Sequence, residues 1–348
     1  THCISSAASD VYKRQKYILF IGILSEGRDF MKTIFVTGAA GMIGKAVVEM
    51  LLQKGYNVIG TDTAPAPFED NDNFSFVQCS ITDKEKITGV LNGSKIDMLI
   101  HLACTVDNDF PDVLSSDEEK TSAAVDKYLY KAAEAAGVAD ILMLSTHQIY
   151  APQRTREPIR EAAAERPSSI YAKLKADSEK ALVNALKKST GTKGVIMRIC
   201  PIYTKDFTEN LKAKVYDAKT GCAFVYGGYG DYGYTFTCLY NLVDFIYGIL
   251  TCPDTITYQG IYNVCDTKPI AAKDIIELLR NDHKIGAVMS RNYGSDAAKG
   301  GVTAIFGSKE SRTDYRYNDL SVACSNISYD NTKAQRIATF RWKLSNTK

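Results

Sequence analysis

The chain has 348 residues, of which 45% are hydrophobic, and a formal net charge of +2. That length can bury a sizeable core in one large or two modest domains. Near-neutral charge, without basic residues interleaved with aromatics, excludes the electrostatic footprint of a protein that binds nucleic acid or an anionic membrane. Nine cysteines, scattered without a CxxC or a Cys/His ligand spacing, argue against a disulfide framework and against a zinc site or other metal centre. A small-molecule substrate and a reducing cytoplasm are expected.

In chain order, Lys13-Arg14-Gln15-Lys16 followed by the apolar run Tyr17 to Leu24 imitates a signal peptide, but no small-residue cleavage site follows. The run is too short to span a bilayer. Asp10 to Gln15 reads like translated sequencing-adapter DNA, and Met31 opens a well-formed strand. Residues 1–30 are therefore read as a non-native leader outside the functional argument.

From Met31 the sequence runs through a buried strand, Lys32 to Val36, into Thr37-Gly38-Ala39-Ala40-Gly41-Met42-Ile43-Gly44 and an amphipathic helix ending near Lys54. Strand, glycine turn and helix is the context a dinucleotide motif requires. Gly38 permits the tight turn, Gly41 lets backbone approach a pyrophosphate, Gly44 lets the helix pack close to its strand, and the helix N-terminus at Met42 and Ile43 faces the anion. A purely structural strand-to-helix turn is the competing reading. Against it, a second strand from Tyr56 to Thr61 ends in Asp62, about twenty residues downstream as the motif demands. An acidic side chain there accepts from both adenosine ribose hydroxyls and repels a 2′-phosphate. With no Arg or Lys in the turn or just after Asp62, NAD is favoured over NADP.

Strands at 74–78 and 96–100 and a long helix from about Glu118 to Ala136 lead to the apolar run Asp140 to Leu144, which ends in Ser145-Thr146-His147-Gln148-Ile149-Tyr150. Repeated strand–helix units of this length imply a doubly wound parallel α/β sheet, whose ligands bind at the carboxyl ends of the strands. Beyond a polar loop, Tyr171 and Lys175 stand four apart on one face of a helix that continues to about Lys187. Removing a hydroxyl proton beside a hydride acceptor needs a base. Bringing a phenol from a pKa of about 10 to near 7 requires roughly 4 kcal/mol, about what an ammonium ~4 Å away supplies at an effective dielectric of about 20.

Taken together, these residues resemble the extended short-chain dehydrogenases/reductases, the NAD-dependent epimerase/dehydratase family, across essentially all of residues 31–348. The resemblance rests on the TGxxGxxG turn at Gly38, Gly41 and Gly44, the His101-Leu102-Ala103 element and the Tyr171–Lys175 pair. It continues through Arg198 to Tyr203, Gly260 to Val264, and Asp330 to Ala334 with Trp342. It implies Thr146 as the catalytic hydroxyl beside Tyr171 and Lys175, with Ser145 structural. It further implies that Ser80, Ile81, Leu102 and Ala103 line the cofactor, Ser80 standing where many members carry an aspartate. His147 and Gln148 take the place where sugar 4,6-dehydratases carry an Asp-Glu pair. Since Gln cannot titrate, dehydration of that type is disfavoured, and His147 reads as a pocket-lining or hydrogen-bonding residue.

Asn210-Leu211 resembles the asparagine–leucine of nucleotide-binding members, whereas Tyr234 occupies the position of a diphosphate-binding arginine, with Arg312 or Arg316 as other sources of charge. Asn210 and Tyr234 are accordingly the expected substrate contacts with His147 and Gln148. Ser122 and Asn241 replace the usual Asn and Asp at positions read as structural. The implied architecture is a Rossmann domain from residues 31–203 and 237–265 and a smaller, discontinuous substrate domain from 204–236 and 266–348. A homodimer is implied by family analogy alone. The expected activity is NAD-dependent epimerisation of a sugar hydroxyl, nucleotide-linked. The alternatives are a net dehydrogenase or reductase of a free sugar, sugar acid or other alcohol, and a non-catalytic NAD-binding sensor.

Overall fold

The computed structural model describes residues 32–69, 71–104, 116–151, 157–167, 169–217, 220–226, 229–253, 256–281, 285–291 and 328–347, with only backbone described for 116–122 and 291. The expected leader, Met31, the Ser122 side chain, Arg312 and Arg316 lie outside what is described.

In chain order the first lobe contains β1 (Thr33–Thr37), α1 (Met42–Gln53), β2 (Asn57–Asp62), β3 (Phe74–Gln78), α2 (Lys84–Gly93), β4 (Met98–His101), α3 (Ser116–Ala135), β5 (Asp140–Thr146), α4 (Ile170–Leu186) and β6 (Lys193–Ile199). There follow β7 (Ile202–Tyr203), α5 (Glu209–Val215), β8 (Tyr216–Asp217), β9 (Cys222–Tyr226), β10 (Gly233–Tyr234) and β11 (Thr237–Cys238). The described chain ends with α6 (Leu239–Leu250), β12 (Gly260–Val264), β13 (Ile270–Ala271), α7 (Ala272–Asn281), β14 (Val288–Arg291) and α8 (Thr332–Gln335).

Seven strands form one sheet in the order β3-β2-β1-β4-β5-β6-β12, and all of its pairings are parallel. The near-continuous apolar strands follow from burial on both faces. Successive side chains alternate between two cores: Ile34, Val36, Leu142, Leu144, Val195 and Met197 pack with α1 and α6, while Phe35, Leu99, Ile141, Met143 and Ile196 pack with α2, α3 and α4. This is the doubly wound sheet the alternation predicts. β1 and β4 are neighbours, yet β1 leads to α1 on one face and β4 to α3 on the other. Their carboxyl ends therefore open at a topological switch point, where ligands bind in such sheets.

A second cluster of elements follows β6. β9 pairs with β8 and β14, α5 and α7 cover them, and Tyr203, Leu211, Phe236, Ile275 and Leu279 form their core. Part of the 266–348 segment assigned to the substrate domain lies against the first lobe: Ala334 is fully buried in the core under α6, with Ile337 and Phe340 beside it. The Lys333 ammonium donates to the Ile261 carbonyl of β12 at 2.7 Å. A side chain at Gly248 would meet the Ile337 carbonyl oxygen at 2.7 Å, so glycine there permits this docking. Among the described residues no helix is long and apolar enough to cross a membrane.

Candidate active site

The glycine turn lies at the switch point. Gly38 has φ +73°, and a Cβ there would stand 2.7 Å from the Ala103 nitrogen, so this crossing of the β1 and β4 ends needs glycine twice over. A Cβ at Gly44 would meet the Gly38 oxygen at 2.0 Å, which locks α1 close to β1. Gly41 is exposed, and a Cβ there would meet only the Gly38 oxygen, at 3.4 Å. The fold alone thus tolerates a side chain at Gly41, and the space in front of it is open to a ligand. Gly41 is also the N-cap of α1, where no side chain caps the free N–H groups of the first turn. That leaves Met42 and Ile43 at an uncapped, positively polarised helix end suited to a pyrophosphate.

Asp62, at the end of β2, accepts from the Ala40 N–H at 3.0 Å and the Ala64 N–H at 3.1 Å. These bonds aim the carboxylate along the glycine turn. Ser80 lies just beyond β3, where its hydroxyl oxygen accepts from the Thr82 N–H and hydroxyl at 3.2 and 2.8 Å. Ile81 is buried beside it, and Leu102 and half-buried Ala103 follow β4. The Leu102 N–H donates to the Thr37 carbonyl at 3.2 Å, which ties this loop to the turn.

Thr146 ends β5 with extended backbone, and its hydroxyl oxygen accepts from the Gln148 N–H at 3.2 Å, capping a single 3-10 turn over His147–Ile149. Gln148 then reaches the helix opposite, where its Oε1 accepts from the Ser169 hydroxyl at 3.1 Å. Ser169 is the N-cap of α4 and accepts from the Ala172 N–H at 3.1 Å. Through this clasp the strand end carrying Thr146 and the helix turn carrying Tyr171 are held side by side. The Lys175 Nζ lies 5.8 Å from the centroid of the Tyr171 ring, and Lys175 is only 3% exposed.

The electrostatics differ from the sequence expectation in one respect. Burial raises the half-buried Tyr171 phenol above its ordinary range, and Lys175 only partly opposes that shift while Cys104 adds to it. The lysine by itself does not make a neutral-pH base. Lys175 is held above the usual lysine value: burial would lower it, but Cys104, Tyr171 and Asp126 outweigh burial.

Ser145 is buried and donates to Glu179 at 2.5 Å. Glu179 in turn accepts from Arg198 Nε at 3.0 Å and Nη2 at 2.6 Å. Arg198, 1% exposed, also pairs with Glu165. Ser145 thus anchors α4 to β5 and β6, while Thr146 faces the other way. Tyr150 donates to Asn263 at 2.6 Å. His147 directs Nδ1 to the Ile199 carbonyl at 3.1 Å, which requires the proton on Nδ1, and its ring packs edge-on against Tyr329.

The substrate contacts expected in the second lobe, Asn210 and Tyr234, hydrogen-bond within that lobe. Asn210 donates its amide to the Ile202 carbonyl at 2.8 Å. Tyr234 is 4% exposed within that lobe's core, with its hydroxyl donating to the Lys214 carbonyl at 3.1 Å. The cause is local: Gly233-Tyr234 pairs as β10 with Ile270-Ala271 of β13, which turns the ring inward onto Phe236. Asn241 is buried and donates to Asp266 and the Trp342 carbonyl, both at 2.8 Å, a structural post. Sequence reasoning missed Cys104, Asp126, Ser169 and Glu179. Only Ser169, an N-cap residue immediately before the helix, left a readable signal. Among the described residues no three His, Cys, Asp or Glu side chains gather as metal ligands.

A parallel doubly wound sheet with an uncapped glycine turn at its switch point, an acidic residue ending β2 and a Tyr–Lys pair at the neighbouring strand end defines a dinucleotide-binding enzyme fold of the Rossmann class. The chain belongs to the NAD dependent epimerase/dehydratase family, whose sequence profile matches residues 34–265. It is 26% identical over 160 residues to a mouse (Mus musculus) dTDP-D-glucose 4,6-dehydratase, covering 43% of this chain and 45% of that one. It is 37% identical over 83 residues to a Mycolicibacterium smegmatis UDP-glucose 4-epimerase, covering 22% of this chain and 26% of the relative. The alignments thus span less than half the length of these curated relatives. The fold is similar to that of a Bacillus cereus UDP-glucuronic acid 4-epimerase solved with UDP-glucuronic acid and NAD, with TM-score 0.64 and 19% identity, covering 90% of this chain and 94% of that one. It is also similar to a Thermotoga maritima UDP-glucose 4-epimerase solved with UDP-glucose, with TM-score 0.59 and 20% identity, covering 75% and 85%.

Proposed function

We propose that this protein is an NAD-dependent, epimerase-type oxidoreductase that acts on a hydroxyl of a nucleotide-linked sugar. The observation that carries the reading is the Gln148–Ser169 clasp, which sets a strand-end threonine against the helix bearing Tyr171 and Lys175. The glycine turn, the open space before Gly41 and the uncapped α1 N-terminus fit a pyrophosphate, and Asp62 fits an adenosine ribose. Ser80 and Ile81 flank the adenine side, and Leu102 and Ala103 flank the dinucleotide opposite. NAD, when bound, supplies the hydride acceptor and a second positive charge near Tyr171.

Tyr171 takes the proton from the reacting hydroxyl and returns it after the sugar has turned its other face. Lys175 stabilises the phenolate electrostatically and holds the nicotinamide ribose. Thr146 uses its oxygen to accept from the Gln148 N–H, so its own hydrogen is directed to the substrate oxygen. Gln148 has no titratable group and its Oε1 is committed to Ser169. That supports epimerisation over a dehydration in which this position would be an acid or base. His147, fixed by the Ile199 carbonyl, lines the pocket. Similarity to epimerases of UDP-linked sugars supports the nucleotide-linked substrate class. The described cysteines are all free, in keeping with a cytoplasmic location, and a homodimer is the expected assembly.

A second reading, net oxidation or reduction of a free sugar or sugar acid, is favoured by Tyr234. A neutral phenol committed to the Lys214 carbonyl is no bidentate diphosphate contact. Incubating the NAD-loaded protein with a panel of nucleotide sugars, free sugars and sugar acids, while following NADH absorbance and product stereochemistry, separates the two. An epimer without net NADH supports the first reading. Stoichiometric NADH supports the second, and a panel without turnover refutes both.

A further inference from the structure

The single 3-10 turn that follows Thr146 is braced from the far end of the chain. The Tyr329 ring packs against both ends of this turn, 5.4 Å from the His147 ring centroid and 5.9 Å from that of Tyr150. The Tyr329 backbone is pinned on either side: the Ile159 N–H donates to the Ser328 carbonyl at 2.9 Å, and the Asp330 N–H donates to the Ile159 carbonyl at 2.8 Å. Among the described residues, Tyr150, Ile159, Ala163 and Tyr329 form a small apolar cluster apart from the cores of the two lobes.

Asn263 ties these pieces together. It is 1% exposed near the end of β12, opposite Arg198 of β6, which in turn stands opposite Ser145 of β5. Its Oδ1 accepts from the Tyr150 hydroxyl at 2.6 Å, and its Nδ2 donates to the Ile159 carbonyl at 2.9 Å and the Asp330 carbonyl at 3.1 Å. One amide orientation satisfies all three bonds, since two acceptors face the nitrogen and one donor faces the oxygen. The turn that follows Thr146, the loop around Ile159 and the segment around Tyr329 therefore share one buried post. Further along, the Asn331 amide donates to the Cys265 carbonyl at 2.8 Å and Ala334 is buried in the first core. The segment thus has anchors besides the Tyr329 ring, and what the ring adds is its contact with the turn.

Thr146 depends on this turn for its direction. Its hydroxyl oxygen accepts from the Gln148 N–H, and the turn closes where the Tyr150 N–H donates to the His147 carbonyl at 3.2 Å. We propose that Tyr329 is a positioning residue for Thr146: by holding the His147 and Tyr150 rings it keeps the turn closed, so that the threonine hydroxyl stays aimed at the reacting oxygen. The proposal rests on the reading of Thr146 as the hydroxyl that orients the substrate. Aromatic pairs gain from tilted and edge-to-face packing, which an aliphatic side chain does not reproduce. The segment around Tyr329 thereby belongs to the active site.

Hydrogen exchange reads the turn directly and needs no turnover. In the NAD-loaded protein, mass spectrometry follows deuterium uptake in a peptide spanning residues 145–151, with a peptide over β1 as the internal reference. Tyr329→Leu, whose fold is checked by circular dichroism, should speed exchange in the turn about tenfold relative to that reference, and Tyr329→Phe should restore most of the protection. On any substrate turned over, Tyr329→Leu should lower kcat about tenfold with KM little changed. Should the Leu variant not fold, Tyr329→Met makes the same comparison. Unchanged exchange in a folded variant lacking the ring, exchange that rises equally in the β1 peptide, failure of Tyr329→Phe to restore protection, or an unchanged kcat overturns the proposal. A substrate panel without turnover would leave the exchange readable, so the failure of the two readings can be told apart.

Discussion

Replacing Lys175 by methionine removes the positive charge nearest Tyr171 while keeping much of the side chain's apolar length. The ammonium lies 5.8 Å from the ring centroid. At that separation and an effective dielectric of about 20 a unit charge is worth about 3 kcal/mol, or about 2 pH units of phenol titration. The sign follows directly: the ammonium favours phenolate, so its loss raises a midpoint that burial already raises. The assay is the tyrosinate absorbance difference between each NAD-loaded protein and its Tyr171→Phe counterpart, which isolates one of 21 tyrosines. It is joined to the pH dependence of kcat/KM on any substrate turned over. Lys175→Met should show the Tyr171 midpoint about 2 units higher and kcat/KM near neutrality about a hundredfold lower, recovering with rising pH. A midpoint that stays put or falls would refute the electrostatic argument.

Four further changes test other parts of the site. Gly41→Ala should leave the thermal midpoint of the cofactor-free protein nearly unchanged, because the new Cβ meets only the Gly38 oxygen at 3.4 Å, yet it should weaken NAD binding at least about tenfold in calorimetry. Gly44→Ala, whose Cβ would stand 2.0 Å from that same oxygen, should lower both the melting temperature and the affinity. Gln148→Met removes the acceptor for Ser169 and should cut kcat by about ten- to a hundredfold with little change in urea stability, since it loosens the approach of Thr146 to Tyr171. Arg198→Met leaves Glu179 buried without its cation and should cost about 3–5 kcal/mol in urea unfolding, whatever it does to turnover.

Much of the first lobe is legible because its signals are long or chemically specific. The apolar runs from Lys32 and Asp140 are buried strands, and Gly38, Gly41, Gly44 and Asp62 converge because each answers a backbone or charge requirement that few other residues meet. Tyr171 and Lys175 share a face by helical spacing alone. The second lobe is harder to read. Its strands β10, β11 and β13 are two residues each, too short for any periodicity, so the inward turn of Tyr234 leaves no trace in the sequence. The return of Ala334 to the first core depends on a contact with α6 across more than eighty positions. Asp126 is hidden for another reason: on a helix rich in Lys and Glu it looks like one more solvated charge. Only the meeting of β4, α3 and α4 makes it a half-buried partner of His101.

The central claim, that Tyr171, Lys175 and Thr146 conduct a transient oxidation whose hydride is returned to the same sugar, is tested most directly in heavy water. The NAD-loaded protein is incubated there with the nucleotide-sugar panel, and the carbon-bound hydrogen at the inverted centre is followed by NMR alongside NADH absorbance. The account predicts an epimer that keeps its original hydrogen, with no NADH accumulating, and loss of that product in Tyr171→Phe. Deuterium at the inverted carbon, NADH released in proportion to substrate consumed, or full turnover by Tyr171→Phe would contradict it.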